Sequence, residues 1–288
     1  MTAETVAAEQ FIPGKARSDV ARRVLFYVLM VGIAVVFFVP FVWTIVTSFK
    51  TIPDSVNFTL IPHPLTTEAW HIVWSQYDFE LYFKNSFFLA AVIVSSNIFL
   101  GGLGGYAFAR LKFPGRDLLF LLVLGTIMVP DQLRLLPIYV LLTNWHLINN
   151  FDGYILINLV TATNLFFMRQ YFLTIPKDFE EAAKLDGAGH FKTFWRVMLP
   201  LALPAIGALT ILQFQGTWND FFWPVVLFSG NTSHYTVQLG LSNLHQLYTS
   251  LWPQICVGSI IAIIPVIVIF LVFQRFFVSG AVTAGVKG

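Results

Sequence analysis

Polar side chains interrupt strongly apolar stretches at only a few places in this 288-residue chain. Asn158, Thr161 and Asn164 recur at three-residue steps, which puts them on one face of a helix. Ser96 and Asn97 sit together inside another apolar stretch, and Gln213 and Gln215 precede Trp218, Asn219 and Asp220 in a third. Amides and hydroxyls offer paired hydrogen bonds and an indole offers an apolar ring face, a combination that suits a neutral polyol. The same residues also serve as hydrogen-bonding glue between membrane helices. Both roles stay open at the level of sequence.

Other chemistries lack their residues. No G-x-x-x-x-G-K-[S/T] occurs: Gly14-Lys15 has no upstream Gly at the required spacing and is followed by Ala16, so the chain cannot cradle nucleotide phosphates by itself. The six histidines scatter without an H-x-x-x-H or a His/Cys cluster, and no Ser/His/Asp grouping falls in one segment. We therefore expect neither a catalytic site nor a metal site. The single Cys256 excludes a disulfide framework. A net charge of +2 gives no basic field for nucleic acid.

The elements that position the polar residues must be membrane helices. The chain is 57% hydrophobic and 11% charged, with a mean hydropathy of +0.73, against about 25% charged residues in soluble chains. A bilayer core needs roughly 20 apolar residues of helix. Segments 24–46, 85–109, 118–142, 153–172, 199–228 and 255–278 qualify, which predicts an all-α integral membrane fold with six spans. The third is interrupted by "VPDQLRLLP", where Asp131 and Arg134 can pair at i, i+3 between two prolines to make a kink. The second carries "GGLGG", whose Gly101-x-x-x-Gly105 spacing suits close helix packing.

Orientation follows from the basic residues. With the N-terminal segment 1–23 inside, Lys15, Arg17, Arg22, Arg23, Arg110, Lys112, Arg116, Arg169, Lys177, Lys184, Lys192, Arg196, Arg275 and Lys287 all lie on the cytoplasmic side. Only Lys50, Lys84 and Arg134 fall outside. Both termini, including the tail 279–288, are then cytoplasmic, and the first span reads as a retained helix with no cleaved signal peptide. Outer segments 47–84 and 229–254 are either solvated connectors or a docking surface.

The segment 173–198 between spans four and five then faces the cytoplasm. Within it "EEAAKLDGAGH" places four charges between Glu180 and Asp186, in a chain otherwise poor in charge. Asp178 and Glu181 have the spacing of a capping box, Pro176 lies just upstream, acids crowd the first turn, and Gly187 suits a helix stop. A second helix follows, with Phe191, Phe194, Trp195 and Met198 at i, i+3, i+4 and i+7 forming one apolar face. An amphipathic connector on lipid headgroups would explain the second helix. It does not explain the acidic first, because anionic lipid repels Glu180, Glu181 and Asp186. Small Ala182 and Ala183 favour close approach by another protein.

Glu181-Ala182-Ala183, Gly187 and Leu199-Pro200 together resemble the "EAA…G…LP" loop of bacterial ABC-importer permeases, with Val197 where that family usually has Ile. "YAFARLKFPG" (106–115), "WNDFFWPVVL" (218–227) and "QRFFVSGAVTAGVKG" (274–288) look like its carbohydrate-uptake branch, the smaller six-span partner of the maltose type. The resemblance covers nearly all of 20–288. It implies an inner-membrane subunit that works with a second, homologous permease, two ATP-binding subunits and an external substrate-binding protein. ATP and Mg would be held by the ATPase, and no cofactor by this chain. It also implies that Glu180, Glu181, Ala182, Ala183, Leu185, Asp186 and Gly187 form a coupling helix seated on the ATPase. Asn97, Asn158, Thr161, Asn164, Gln213, Gln215, Trp218, Asn219 and Asp220 remain candidates for the translocation pathway. The expected cargo is a sugar or sugar-like solute; glycerophosphate-type, amino-acid or peptide cargo and an ion-gradient transporter are the rival readings.

Overall fold

The computed structural model describes residues 13–244 and 251–285. Parts of the N-terminal segment 1–23, of the outer segment 229–254 and of the tail 279–288, with Lys287, lie outside the described residues. Every regular element among those described is helical. A long helix α1 (Pro13–Thr47) is followed by short α2 (Ile52–Ser55) and α3 (Glu68–Gln76), then by the central α4 (Phe79–Arg110). Next come α5 (Arg116–Ile127), α6 (Asp131–Asn144), α7 (Phe151–Asn158) and α8 (Ala162–Thr174). The polar insert forms α9 (Asp178–Leu185) and α10 (His190–Thr193), a π turn at Phe194–Met198, and the one-turn α11 (Leu199–Leu201). The chain continues as α12 (Leu203–Trp218), α13 (Phe222–Phe228), α14 (Val237–Ser242) and α15 (Trp252–Gly285).

Four stretches are long and apolar enough to cross a membrane: Arg22–Thr47, Phe79–Arg110, Phe151–Thr174 and Trp252–Phe276. Two bent pairs raise the number of candidate spans to six. Arg116–Ile127 and Asp131–Asn144 meet at 101°, and His190–Leu201 and Leu203–Trp218 meet at 77°. Both bends have proline causes. Pro130 forces the preceding Val129 out of the helical region and starts α6 at its N-cap. Pro204, at the start of α12, has no amide hydrogen to continue the ladder from α11.

Helix α4 is the axis on which the rest is assembled. Its Phe79, Tyr82, Ala90 and Val94 join Phe214 and Trp218 of α12 and Val257 and Ile261 of α15 in one buried cluster. Leu89 and Ile93 pack with Leu142, Tyr154, Trp223 and Leu227 in a second, and Tyr106 and Ala109 with Met168, Phe172, Phe194 and Met198 in a third. The α4–α8 crossing depends on Gly105, where a Cβ would stand 2.6 Å from the Cβ of Met168 and 2.8 Å from the amide of Arg169. The outer surface is apolar: α1 is exposed along nearly all of its span, and Phe37 is 71% exposed. In water such a belt would be prohibitive, whereas hydrocarbon tails cover it without cost.

Three local expectations are corrected. Asp178 is the first residue of α9, behind an N-cap at Lys177 that makes no side-chain bond, so the Asp178–Glu181 capping box does not form. The four-residue apolar face splits: Phe194 and Met198 are buried while Phe191 and Trp195 are exposed. The π turn lengthens the repeat, so residues four apart stack on one side and their neighbour swings away. Finally, Asn158, Thr161 and Asn164 do not share one uninterrupted helix. Thr161 is the N-cap of a new helix, with its hydroxyl accepting from the amide of Asn164 at 3.3 Å.

Candidate functional site

The break between α7 and α8 leaves backbone groups without helical partners, and a side chain from α4 supplies them. Asn97, fully buried, donates from Nδ2 to the carbonyl of Asn158 at 2.7 Å and to that of Ile93 at 2.9 Å. Its Oδ1 accepts from the amide of Thr161 at 2.8 Å and from Asn164 Nδ2 at 3.0 Å. Asn164 Nδ2 also donates to Gln213 Oε1 of α12 at 2.8 Å, and Gln213 Nε2 donates to Thr217 Oγ1 at 3.3 Å. One amide cluster thus ties α4, the α7–α8 break and α12 together inside the helix bundle. Asn158 turns its own Nδ2 back to the carbonyl of Tyr154 at 3.0 Å.

Beside this cluster lies a cavity of about 410 Å³, walled by the α5–α6 bend and the α7–α8 break. Val129, Pro130, Asp131 and Arg134 come from the α5–α6 bend, Asn158, Thr161 and Thr163 from the α7–α8 break, and Trp223 from α13. Asp131 and Arg134 form an ion pair at i, i+3, as their spacing allows, so the wall carries opposite charges that offset each other. Amide, hydroxyl and indole groups provide the remaining polarity. Non-helical backbone is tolerated at membrane depth where it lines such a cavity.

The other polar candidates sit elsewhere. Trp218 is buried between α12 and α15, stacked on Phe214 at 5.4 Å, with its indole N–H donating to the Ala262 carbonyl at 2.9 Å. Asp220 accepts from the Tyr154 hydroxyl at 2.8 Å and from the Trp223 amide at 3.4 Å, holding α13 against α7. Asn219 accepts from Gln238 at 3.1 Å and is exposed, as is Gln215. Trp223 and Tyr154, absent from the sequence-based set, were masked by apolar neighbours. The "ND-FFW" turn is their one local signal.

The polar insert has two faces. Glu180 and Ala183 of α9 are buried, whereas Glu181, Ala182, Leu185 and Asp186 are exposed, Leu185 at 89%. Gly187 closes the helix with φ +72°, a conformation a side chain rarely adopts. Glu180 lies 3.3 Å from the guanidinium of Arg110, and both side chains are nearly inaccessible, at 11% and 5% exposure. Arg110 also donates from Nη2 to the carbonyls of Phe172, in the last turn of α8, and of Ile175, just past its end. Arg110 lies within the "YAFARLKFPG" stretch, but nothing in the sequence pairs it with Glu180. Among the described residues no three His, Cys, Asp or Glu are grouped to hold a metal ion.

A helical membrane chain with a polar cavity at its broken spans and a polar helix projecting from one end has the build of a transport subunit. The chain belongs to the family of binding-protein-dependent transport system inner membrane components, whose model matches residues 98–280. It is therefore a permease of the ABC-importer class, a transport component and not an enzyme. Among relatives, it is 34% identical to the arabinooligosaccharides transport system permease protein AraQ of Halalkalibacterium halodurans, over 92% of this chain and 98% of that one. It is 40% identical to AraQ of Bacillus subtilis over 73% and 75% of the two chains, and 32% identical to the sn-glycerol-3-phosphate transport system permease protein UgpE of Yersinia pestis over 88% and 93%. Among solved structures, a chain of a bacterial ABC transporter involved in alginate import superposes with a TM-score of 0.76 at 26% identity, covering 91% of this chain and 98% of that one. A chain of the alginate transporter bound to its periplasmic protein shares the fold, with a TM-score of 0.58 at 13% identity over 90% and 95% of the chains.

Proposed function

We propose that this permease moves a neutral, polyhydroxylated solute of the sugar class into the cell, and that the cavity between the α5–α6 bend and the α7–α8 break forms its share of the path. The observation that carries this reading is the wall of that cavity: Asp131 and Arg134 neutralise each other, and amide, hydroxyl and indole groups supply the polarity. Asn158, Thr161 and Thr163 line the path, while Asn97, Asn164 and Gln213 hold its frame. Six spans with cytoplasmic termini agree with the distribution of Lys and Arg. The partners are a second, homologous permease, two ATP-binding subunits and an external binding protein. The exposed face of α9, with Ala182, Leu185 and Asp186, seats on the ATPase, so nucleotide-driven closure turns the bundle from inward- to outward-facing.

The rival cargo is a glycerophosphate. One observation favours it: Arg134 lines the cavity, and a competing phosphate can take the place of Asp131 on its guanidinium. Reconstitution in proteoliposomes with the cognate partners separates the two. ATP-dependent uptake of labelled arabinotriose or maltotriose, without competition from sn-glycerol 3-phosphate, is expected. Uptake of glycerol 3-phosphate alone overturns the sugar assignment.

A further inference from the structure

The exposed face of α9 accounts for docking, but it leaves unexplained why the opposite face carries a buried charge. Glu180 is expensive to place there. The segment's outward surface is polar and a carboxylate there would be hydrated, whereas burial demands a partner. That partner, Arg110, is the last residue of α4, and its guanidinium has a second set of contacts. Its Nε stands 3.3 Å from Glu180 Oε1, an ion pair without a hydrogen bond between those two atoms, while its Nη2 donates to the carbonyls of Phe172 and Ile175 at the end of α8. One planar fork therefore joins three elements: the end of α4, the end of α8 and the inner face of α9. Lys could not replace it, because a single ammonium lacks the spread of donors.

We infer that Arg110 is a strut that makes α9, α8 and α4 move as one body, carrying displacement of the coupling helix into the membrane. This rests on the reading of α9 as the ATPase contact. From Arg110 the uninterrupted α4 runs about 20 Å to Asn97. There the same helix grips the α7–α8 break by hydrogen bonds to Asn158, Thr161 and Asn164. The strut at one end and the amide clamp at the other thus link α9 to the wall of the cavity by two rigid helices. A packed body of this kind transmits a shift with little loss, because its interior does not deform gradually.

The test needs a readout independent of the solute. In the assembled transporter with Cys256→Ser and Thr163→Cys, maleimide labelling of the cavity wall is timed with and without ATP. The parent complex is expected to show an ATP-dependent labelling rate; its absence overturns the coupling reading and the strut with it. The informative variant is Arg110→Met with Glu180→Met. Removing both charges together spares the buried site an unpaired ion and leaves only the Phe172 and Ile175 carbonyls without their donor. The double variant therefore melts modestly below the parent and still co-purifies with its partners, while Glu180→Met alone, which strands the Arg110 charge, lowers the melting temperature further. If the pair were only structural, the double variant would also keep its ATP response. The strut instead predicts that the ATP effect on labelling shrinks by roughly tenfold. Arg110→Lys, which keeps a charge for Glu180 but cannot hold all three elements, is expected to assemble and to lose the response in the same way. A parent-like ATP effect in either variant overturns the strut. Leu185→Asp, on the outer face, tests the underlying reading separately. It should release the ATPase, and retention of both the ATPase and the ATP response would sink the docking role of α9 itself.

Discussion

Replacing Asn97 by Leu tests whether one side chain holds the broken span together. The two side chains branch alike at Cγ with the same number of heavy atoms, so the change removes hydrogen bonds without opening a void, although Leu is the bulkier of the two. Four bonds are lost: to Ile93 and Asn158, and from Thr161 and Asn164. The Ile93 carbonyl keeps its place in the helical ladder of α4, so its loss is minor. The Asn158 carbonyl, the Thr161 amide and one Asn164 proton lose their protein partner at the edge of the cavity. Each orphaned group costs about 1 kcal/mol, and membrane hydrogen bonds measured by mutant cycles average near 0.6 kcal/mol. The expected destabilisation is therefore about 2–3 kcal/mol. Unfolding of the detergent-solubilised protein, by SDS titration with helix content as signal, reads this directly. Asn164→Leu should cost less, because its partners are side chains that can turn elsewhere. The double variant should fall short of the sum, since the two residues share one bond. A loss below about 0.5 kcal/mol for Asn97→Leu would show that the break satisfies itself, and the clamp would have to be abandoned.

Other consequences are open to the same assays. Gly105→Val drives a Cβ into the Cβ of Met168 and the backbone of Arg169, so α4 and α8 must separate; the loss should be at least about 1–3 kcal/mol, whereas Gly125→Ala, with nothing within 4 Å, should cost little in packing. At Gly187 the strain comes from φ +72° and not from crowding. Asn should therefore be tolerated better than Ala, and Ala better than Val, with Ala costing about 1 kcal/mol in thermal stability. Trp218→Phe keeps the stack on Phe214 but loses the bond to the Ala262 carbonyl. It should lower stability by about 1 kcal/mol and leave subunit co-purification intact.

The sequence by itself determined the class of solvent and the rhythm of the chain. Thirty Phe and few charges require hydrocarbon around the helices, and Pro130 marks the bend in the third span, whereas the 77° bend ahead of Pro204 falls inside a segment that reads as one continuous span. "EEAAKLDG" stood out as a polar helix stopped at Gly187, and the positive φ there supplies the reason. Pairing of Asp131 with Arg134 was equally legible, since i, i+3 neighbours on a helix meet whatever surrounds them. Contacts between distant segments were not. Spacing alone put Asn158, Thr161 and Asn164 on one face, because periodicity assumes a continuous helix, and nothing local announces that Asn97 sits opposite to stabilise a break. Capping by Asp178 failed for a related reason: the start of α9 lies one residue earlier. Which glutamate turns inward, and that Arg110 waits for it at the end of another helix, depends on how α4, α8 and α9 pack. Residues seventy positions apart share a bond only after folding has placed them, so a side chain's role in that layer is set by its neighbours in space.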